Sequence, residues 1–376
     1  MILSEIVKKN VQKERKKSFK IHNLQYNPQQ YSPKGVIIMY NISKNMTQQI
    51  ILKSRPVGVP IPGNFETKTA EIPTIANGMV RLKAHTFSVD PYMRGRMSDA
   101  KSYISPFSVG EPIVGGGVAL VIESHADGFK VGDFVLGMIP WQEEMVVDAI
   151  GLQVVDRNIA PLSYYLGILG MPGLTAYFGL LDIGKPKKGE TVVVSGAAGA
   201  VGMVVGQIAK IQGCRVVGIA GDDVKVNYLL NELHFDSVIN YKTISNLDSA
   251  IASTCPSGVD VYFDNVGGEI SDAVVAQINK NARIIICGQI SLYNTTSQPV
   301  GPRIQPTILK RSALMQGFIV NNYASRFPEG FKALTHWVGS GQLKYTNTIY
   351  HGFEKLPEAF IALFEGKNLG KLIVEV

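Results

Sequence analysis

The sequence predicts an α/β protein in which a doubly wound parallel sheet follows a β-rich part of comparable size. Three observations carry this expectation. Thr191 to Gly202, TVVVSGAAGAVG, runs four β-favouring residues into a glycine and alanine turn, then into MVVGQIAKIQG, an apolar stretch of helical length. Residues 166–320 alternate strand-like and helix-like segments, the pattern of a parallel sheet with helices on both faces. Residues 46–165 instead hold short strand-like runs separated by Gly/Pro punctuation, which suggests a small barrel or sandwich.

Bulk properties narrow the class. A chain of 376 residues is long enough for two domains with cores of their own. Hydrophobic content of 45% with 18% charged residues describes a soluble globular protein. No apolar run reaches the roughly 18 residues of a membrane span, so a membrane partner is not expected. Cys214, Cys255 and Cys287 are too few and too scattered for a disulfide framework, which points to a reducing compartment and a cytoplasmic protein. The net charge of +7 resembles a nucleic-acid signal only at first sight. Residues 1–38 carry eight Lys/Arg against Glu5 and Glu14, or +6, which leaves +1 for the remaining chain. The basicity belongs to a leader, and nucleic-acid binding is discounted.

That leader is polar, without sustained helical or strand period, and lacks the apolar core of a secretory signal. Either it is a transit peptide, or it is no part of the natural protein and translation starts at Met39, after a purine-rich coding stretch across Lys34-Gly35. In the β-rich part, strands are expected at Gln49–Lys53, Met79–Ala84, Val114–Glu123 and Gln153–Val155. After the glycine turn come strands at Arg215–Ala220, Ser237–Asn240, Val259–Asp264, Ala282–Cys287 and Met315–Val320. Helices are expected between them over about Asp223–Leu233, Ile244–Thr254 and Glu269–Ile278. A helix near Phe327–Val338 and a terminal strand in GKNLGKLIVEV complete the chain, the strand being free to return to the first domain.

The glycines at 196, 199 and 202 sit in the strand–turn–helix context that a phosphate-binding turn requires. There the backbone approaches a pyrophosphate, and the helix N-terminus offers N–H groups and a positive dipole end. The spacing is GxxGxxG rather than the commoner GxGxxG, so the turn alone is equally readable as an ordinary tight β–α connection.

More specific blocks stand in order along the chain: LKSRPVGVPIPGNF, SVDPYMRGRMSDAKSY, LGMPGLTAYFGLLDIGKPKKGETVVVSGAAGAVG, VDVYFDNVGGE and ICGQISLYN. Together, from Gln49 to Val376, they resemble the medium-chain dehydrogenase/reductase superfamily. Within it the chain looks like the zinc-free prostaglandin reductase and leukotriene dehydrogenase group, and it resembles bacterial NADPH-dependent curcumin reductases. The resemblance implies a GroES-like catalytic domain from residues 39–165 and 321–376, with a Rossmann NADP-binding domain inserted over residues 166–320. It places the pyrophosphate at Gly196, Gly199, Ala200, Val201 and Gly202, and the adenosine phosphate near Lys225 and Tyr241. Asn265, Cys287, Gly288, Ile290, Tyr293, Phe318, Ile319, Val320 and Asn368 complete the implied cofactor contacts. Relatives are commonly dimers, so a homodimer is implied as well.

The choice of nicotinamide cofactor has evidence on both sides. Asp222 lies about 20 residues past the glycines, where NAD enzymes keep an acid for the ribose. Yet the preceding strand ends Gly218-Ile219-Ala220-Gly221, and the cation Lys225 suits a 2′-phosphate. With the resemblance, NADPH is the expectation. Zinc is not expected. No cysteine precedes Cys214, Gly110-Glu111-Pro112 stands where zinc enzymes of the superfamily carry Gly-His-Glu, and His85 and His125 read as strand residues.

Carbonyl reduction without a metal lacks its Lewis acid, whereas a conjugated enone needs only a hydrogen-bond donor at the enolate oxygen and a proton for the α-carbon. Tyrosine suits the first role, being a neutral donor at pH 7. Tyr293, following a sheet strand, is the first candidate; Tyr92 and Tyr103, from the β-rich part, are the second and third. Arg94 and Arg96 between them bind a substrate carboxylate or make a structural ion pair, the structural role being favoured. The run Tyr103 to Phe107, with Met171-Pro172, lines a pocket for a long or aromatic enone or else belongs to the core. The expected activity is NADPH-dependent reduction of the C=C bond of α,β-unsaturated ketones and aldehydes. The alternatives are an NADPH quinone oxidoreductase and a non-catalytic nucleotide-binding protein.

Overall fold

A computed structural model describes residues 45–376, and the basic leader lies outside the described residues. The first part contains β1 (Met46–Leu52), β2 (Phe65–Glu71), β3 (Met79–Ser88), the short helix α1 (Tyr92–Arg96), β4 (Val114–Ser124), β5 (Phe134–Pro140), β6 (Glu144–Asp148) and β7 (Gln153–Val155). There follow α2 (Met171–Phe178), β8 (Thr191–Ser195), α3 (Gly202–Ile211), β9 (Arg215–Ala220), α4 (Asp223–Asn227), β10 (Ser237–Asn240) and α5 (Leu247–Thr254). The same alternation continues with β11 (Val259–Asp264), α6 (Gly268–Ala276), β12 (Ile278–Ile286), α7 (Gln305–Arg311) and β13 (Leu314–Gly317). The chain ends in α8 (Phe327–Gly339), β14 (Asn347–His351), α9 (Leu356–Phe364) and β15 (Lys371–Glu375).

Strands β8 to β13 form a parallel sheet in the order β10-β9-β8-β11-β12-β13. Counted from β8 as the first strand, this is the order 3-2-1-4-5-6 of a dinucleotide-binding sheet, with its direction reversing between β8 and β11. All five residues of β8 are buried. With side chains alternating across the sheet, Val192 and Val194 enter the cluster that holds Ile208 and Phe263, while Val193 enters the one with Ile219 and Ile284. Each such valine contributes about 1.5–3 kcal/mol by burial, so β8 is fixed from both faces.

The second sheet has the order β14-β15-β3-β4-β5-β7, with β6 on β3, and β1 and β2 make a separate ribbon. The terminal strand β15 pairs antiparallel with β3, Ile373 opposite Ser88. Its core gathers Phe87, Trp141 and Phe360, all fully buried.

Departures from the sequence reading have local causes. The strands β2, β5 and β6 were not anticipated; β2, FETKTAE, is mostly exposed and takes its partner from β1. Helix α5 begins at Leu247 rather than Ile244, because Asn246 caps it by accepting from Ser249 N at 2.8 Å. Helix α6 ends at Ala276, and Ile278 already pairs with Val259, so β12 starts before the polar Asn279-Lys280-Asn281. The ladder of β13 ends at Gly317, leaving Phe318 to Val320 beyond the sheet.

Candidate active site

The residues expected to hold the cofactor are distributed along the carboxyl edge of the parallel sheet, and they follow the spatial order of its strands. Tyr241 follows β10, Lys225 follows β9, the glycine turn follows β8, Asn265 follows β11, Cys287 to Tyr293 follow β12, and Phe318 to Val320 follow β13. Six adjacent strands about 4.8 Å apart spread this row over about 24 Å. The crevice outside the carboxyl ends, at the reversal between β8 and β11, is where such sheets take ligands.

The turn after β8 folds back on itself. Gly196 has φ +58°, and a Cβ on Gly202 would stand 2.3 Å from the Gly196 carbonyl oxygen, so no side chain fits. No side chain caps α3, which leaves its N-terminal face open toward a ligand. Across the reversal, Ser195 Oγ donates to Asp264 Oδ1 at 2.9 Å, and Asn265 Nδ2 donates to the Ser195 carbonyl at 2.8 Å. Asp264 is fully buried. Its Oδ1 also accepts from Tyr262 OH, Val266 N and Gly267 N, fixing the turn that presents Asn265. The Asp264 carbonyl accepts from Cys287 N at 2.9 Å and Gly288 N at 3.1 Å, which ties the β11 and β12 ends together.

At the opposite end of the row, the Asp222 carboxylate caps α4 by accepting from Lys225 N at 2.9 Å. Its other oxygen lies 3.3 Å from Lys225 Nζ, which also donates to the Gly366 carbonyl. The acid that argued for NAD is therefore engaged by the cation that argued for NADP. Tyr241 packs its ring against Gly221, where a Cβ would come within 2.9 Å of it. Asn368 donates through Nδ2 to the Gly370 carbonyl, and Gly370 N donates to the Ala198 carbonyl, both at 2.8 Å.

The three candidate tyrosines are linked electrostatically, each to the next. Tyr103 is within electrostatic reach of Tyr293 and Cys287, and Tyr92 of Tyr103. Burial, reinforced by Asp90, holds the Tyr92 phenol well above its ordinary range, and the nearby Arg96 charge offsets part of the rise. Burial raises Tyr293 and Tyr103 as well. Tyr293 OH accepts from Gln289 N at 3.2 Å, which leaves its own proton to donate. Tyr103 is 63% exposed and is the least enclosed of the three. The Cys287 thiol is pushed up to about 12 by burial and by the Asp264 charge.

Arg94 and Arg96 both hold backbone carbonyls rather than the ion pair considered from sequence. Arg94 is buried and donates to Pro56 O, Gly58 O and Asn294 Oδ1. Arg96 donates to Ser105 O and Val114 O and lies over the Phe107 ring at 4.1 Å. Phe107 itself is core, so the run from Tyr103 does not line the cleft throughout. Among the described residues, no group of three or more His, Cys, Asp or Glu is placed to hold a metal ion, and no helix is long and apolar enough to cross a membrane.

Sequence reasoning missed Asp264, Asp90, Lys371 and Asn294. A signal existed for two of them. Asp264 ends the apolar VYF of a parallel strand, and Lys371 opens the last strand immediately before its apolar LIV.

Residues 48–155 match the family model described as the N-terminal domain of oxidoreductase, and residues 200–337 match the one described as zinc-binding dehydrogenase. The NADPH-dependent curcumin reductase of Escherichia coli is 42% identical over 89% of this chain and 98% of its own. Prostaglandin reductase 1 of Mus musculus is 46% identical over 86% of this chain and 97% of its own. Among solved structures, CurA from Vibrio vulnificus in complex with NADPH superimposes with a TM-score of 0.83 at 44% identity, over 88% of this chain and 99% of its own.

Proposed function

The chain belongs to the medium-chain dehydrogenase/reductase superfamily, in the group of curcumin and prostaglandin reductases, and from that premise we propose that it is an NADPH-dependent, zinc-independent reductase of conjugated C=C bonds. The substrates are α,β-unsaturated ketones and aldehydes.

The residues present fit the cofactor. The side-chain-free cradle at Gly202 and the open end of α3 suit a pyrophosphate, and Lys225 suits a 2′-phosphate. When bound, NADPH supplies the hydride that adds to the β-carbon of the enone. The chain's own part is to hold the enolate oxygen and exclude competing chemistry. Tyr293 donates its phenolic proton as a hydrogen bond to that oxygen, with Tyr92 beside it, and the α-carbon takes its proton from solvent. One observation carries this reading: Tyr293 stands after β12 at the carboxyl edge of the sheet, where its hydroxyl accepts from Gln289 N at 3.2 Å and keeps its own proton to donate.

The test is NADPH oxidation with a medium-chain alkenal and an extended aromatic enone, with and without a chelator. Turnover that the chelator leaves unchanged, with NADH much poorer, supports the reading. Rapid oxidation by a simple quinone with neither enone turned over would replace it with a quinone reductase. The three free cysteines fit a cytoplasmic setting. Among the described residues the outer edge of β13 has no strand partner, which supports reading it as the surface through which two copies pair.

A further inference from the structure

Six residues near the C-terminus touch Lys225 and the glycine turn of the proposed cofactor site, and the loop that leads to a candidate donor. The Gly366 carbonyl accepts from Lys225 Nζ. Gly370 N donates to the Ala198 carbonyl at 2.8 Å, and Gly199 and Gly370 form a parallel bridge, so the segment is stitched to the glycine turn. Gly370 has φ +71°, and a Cβ there would meet the Thr346 carbonyl oxygen at 2.1 Å, which confines this close approach to glycine. Thr348 holds Leu369 from below through two bonds of 2.9 Å.

The next residue, Lys371, turns away from the cofactor site. Its side chain is buried at 1% exposure, and Nζ donates to Val89 O at 2.8 Å, Leu372 O at 2.9 Å and Asp90 Oδ1 at 3.1 Å. Three acceptors satisfy the three protons of the ammonium group. The other oxygen of Asp90 accepts from Ser88, and its carbonyl accepts from Met93 N at 3.2 Å at the first turn of α1. Tyr92 opens that helix. A buried ion pair adds little net stability over apolar residues of like size, so a cohesive role alone does not account for it.

We propose that Gly366–Lys371 is a strap that reads the cofactor's 2′-phosphate and, through Lys371 and Asp90, sets the position of the helix carrying Tyr92. This rests on the enone reductase reading and extends it. A phosphate dianion at Lys225 competes with the Gly366 carbonyl for the same ammonium, and the charged acceptor forms the stronger bond. Release of Gly366 frees one end of the strap, whose other end is fastened to Asp90. Lys371 and Asp90 are positioning residues, and neither touches the reacting atoms.

The test separates the 2′-phosphate from the nicotinamide. Hydrogen exchange of the full chain is followed in the segments 366–372 and 92–97 with 2′,5′-ADP, and with 5′-AMP as the ligand lacking only the 2′-phosphate. The expected result is a change of about threefold or more in both segments with 2′,5′-ADP, and in neither with 5′-AMP at equal occupancy. A change in 366–372 alone overturns the proposal. The double variant Asp90→Asn/Lys371→Met removes both buried charges and so avoids leaving either one unpaired. In it, 2′,5′-ADP should still alter 366–372 but no longer 92–97, and kcat on the enone should fall about tenfold with the NADPH Kd changed less than about twofold. Retention of wild-type coupling and kcat in that variant also overturns the strap. Enone turnover without any binding of 2′,5′-ADP would instead remove the Lys225 assignment, and the strap with it.

Discussion

Arg94 Nε donates to Asn294 Oδ1 at 2.9 Å across 200 residues of sequence, joining α1 to the loop that carries Tyr293. The same guanidinium holds Pro56 O and Gly58 O, so one buried cation fixes the distance between two candidate donor tyrosines. Arg94→Lys keeps the charge but loses the planar fork. Fewer of the three acceptors can then be reached, which should cost about 1–3 kcal/mol in thermal unfolding. The kcat/KM for an enone should fall about tenfold, since donor placement is lost with it. Wild-type kinetics in Arg94→Lys would show that the link does not position the site.

Removal of the Tyr293 hydroxyl tests the donor itself. Tyr293→Phe should lower kcat about 10²- to 10³-fold with NADPH binding unchanged, as expected when one oxyanion donor is lost. Tyr92→Phe should cost less, and Tyr103→Phe should act mainly on KM, because Tyr103 is 63% exposed. A larger loss in Tyr92→Phe would transfer the donor role to it.

The direction of the phenol shifts sets the alkaline behaviour. Burial raises Tyr92, Tyr103 and Tyr293, so their protons persist above the usual value of ~10. Enone turnover should therefore show no phenol-dependent fall below about pH 10. For stability, the folded chain binds these protons more tightly than the unfolded one. That contribution is complete below ~10 and is lost as pH rises through the higher folded-state values. The phenols' share of the melting temperature should decline only on that alkaline side.

The parallel sheet was legible because β8, β9 and β11 hold apolar stretches, Val192–Val194, Val216–Ala220 and Val261–Phe263, ended by turn residues and separated by helix-length segments. The strands β5 and β6 were not, because their residues hold the sheet through pairing with β4 and β3, which no local pattern reveals. At the site, the glycines, Lys225 and Asn265 belong to short motifs and were readable one by one. Asp90 with Lys371, and Arg94 with Asn294, are 281 and 200 residues apart, and each has meaning only once the fold brings its partner.

Cys287 stands beside the tyrosines, yet it should behave as an inert thiol. Burial and the Asp264 charge push it to about 12, against ~8.5 for a free cysteine. The thiolate fraction near neutrality is then lower by about three orders of magnitude. Iodoacetamide at mildly alkaline pH should leave Cys287 unmodified in the native protein while labelling it after unfolding, as read by mass spectrometry. Modification of native Cys287 at the rate of a free thiol would contradict the raised thiol at the end of β12.

Lys225 tests the phosphate end of the row. Asp222 already caps α4 and pairs with Lys225, so its carboxylate is not free to select a ribose hydroxyl. Lys225→Ala removes one charge-assisted bond to a 2′-phosphate, worth about 1.5–3 kcal/mol. The KM for NADPH should rise about 10- to 100-fold with the KM for NADH little changed. Equal losses for both cofactors would mean that the side chain supports α4 and Gly366 rather than the phosphate.

The last strand of the parallel sheet makes a prediction about assembly. Among the described residues β13 has a partner on one side only, and Leu314 on it is 46% exposed. Leu309 of the adjacent α7 is 80% exposed, and Val300 of the preceding loop 96%. An open edge flanked by apolar side chains invites another strand, and a second copy related by a two-fold axis supplies one of matching composition. Light scattering should give the mass of a dimer. Leu309→Lys with Leu314→Lys places like charges on both copies across the same axis and should shift the protein to monomer without loss of fold. A wild-type monomer at micromolar concentration would remove the pairing, whereas a dimer that survives both substitutions would move the contact to another face.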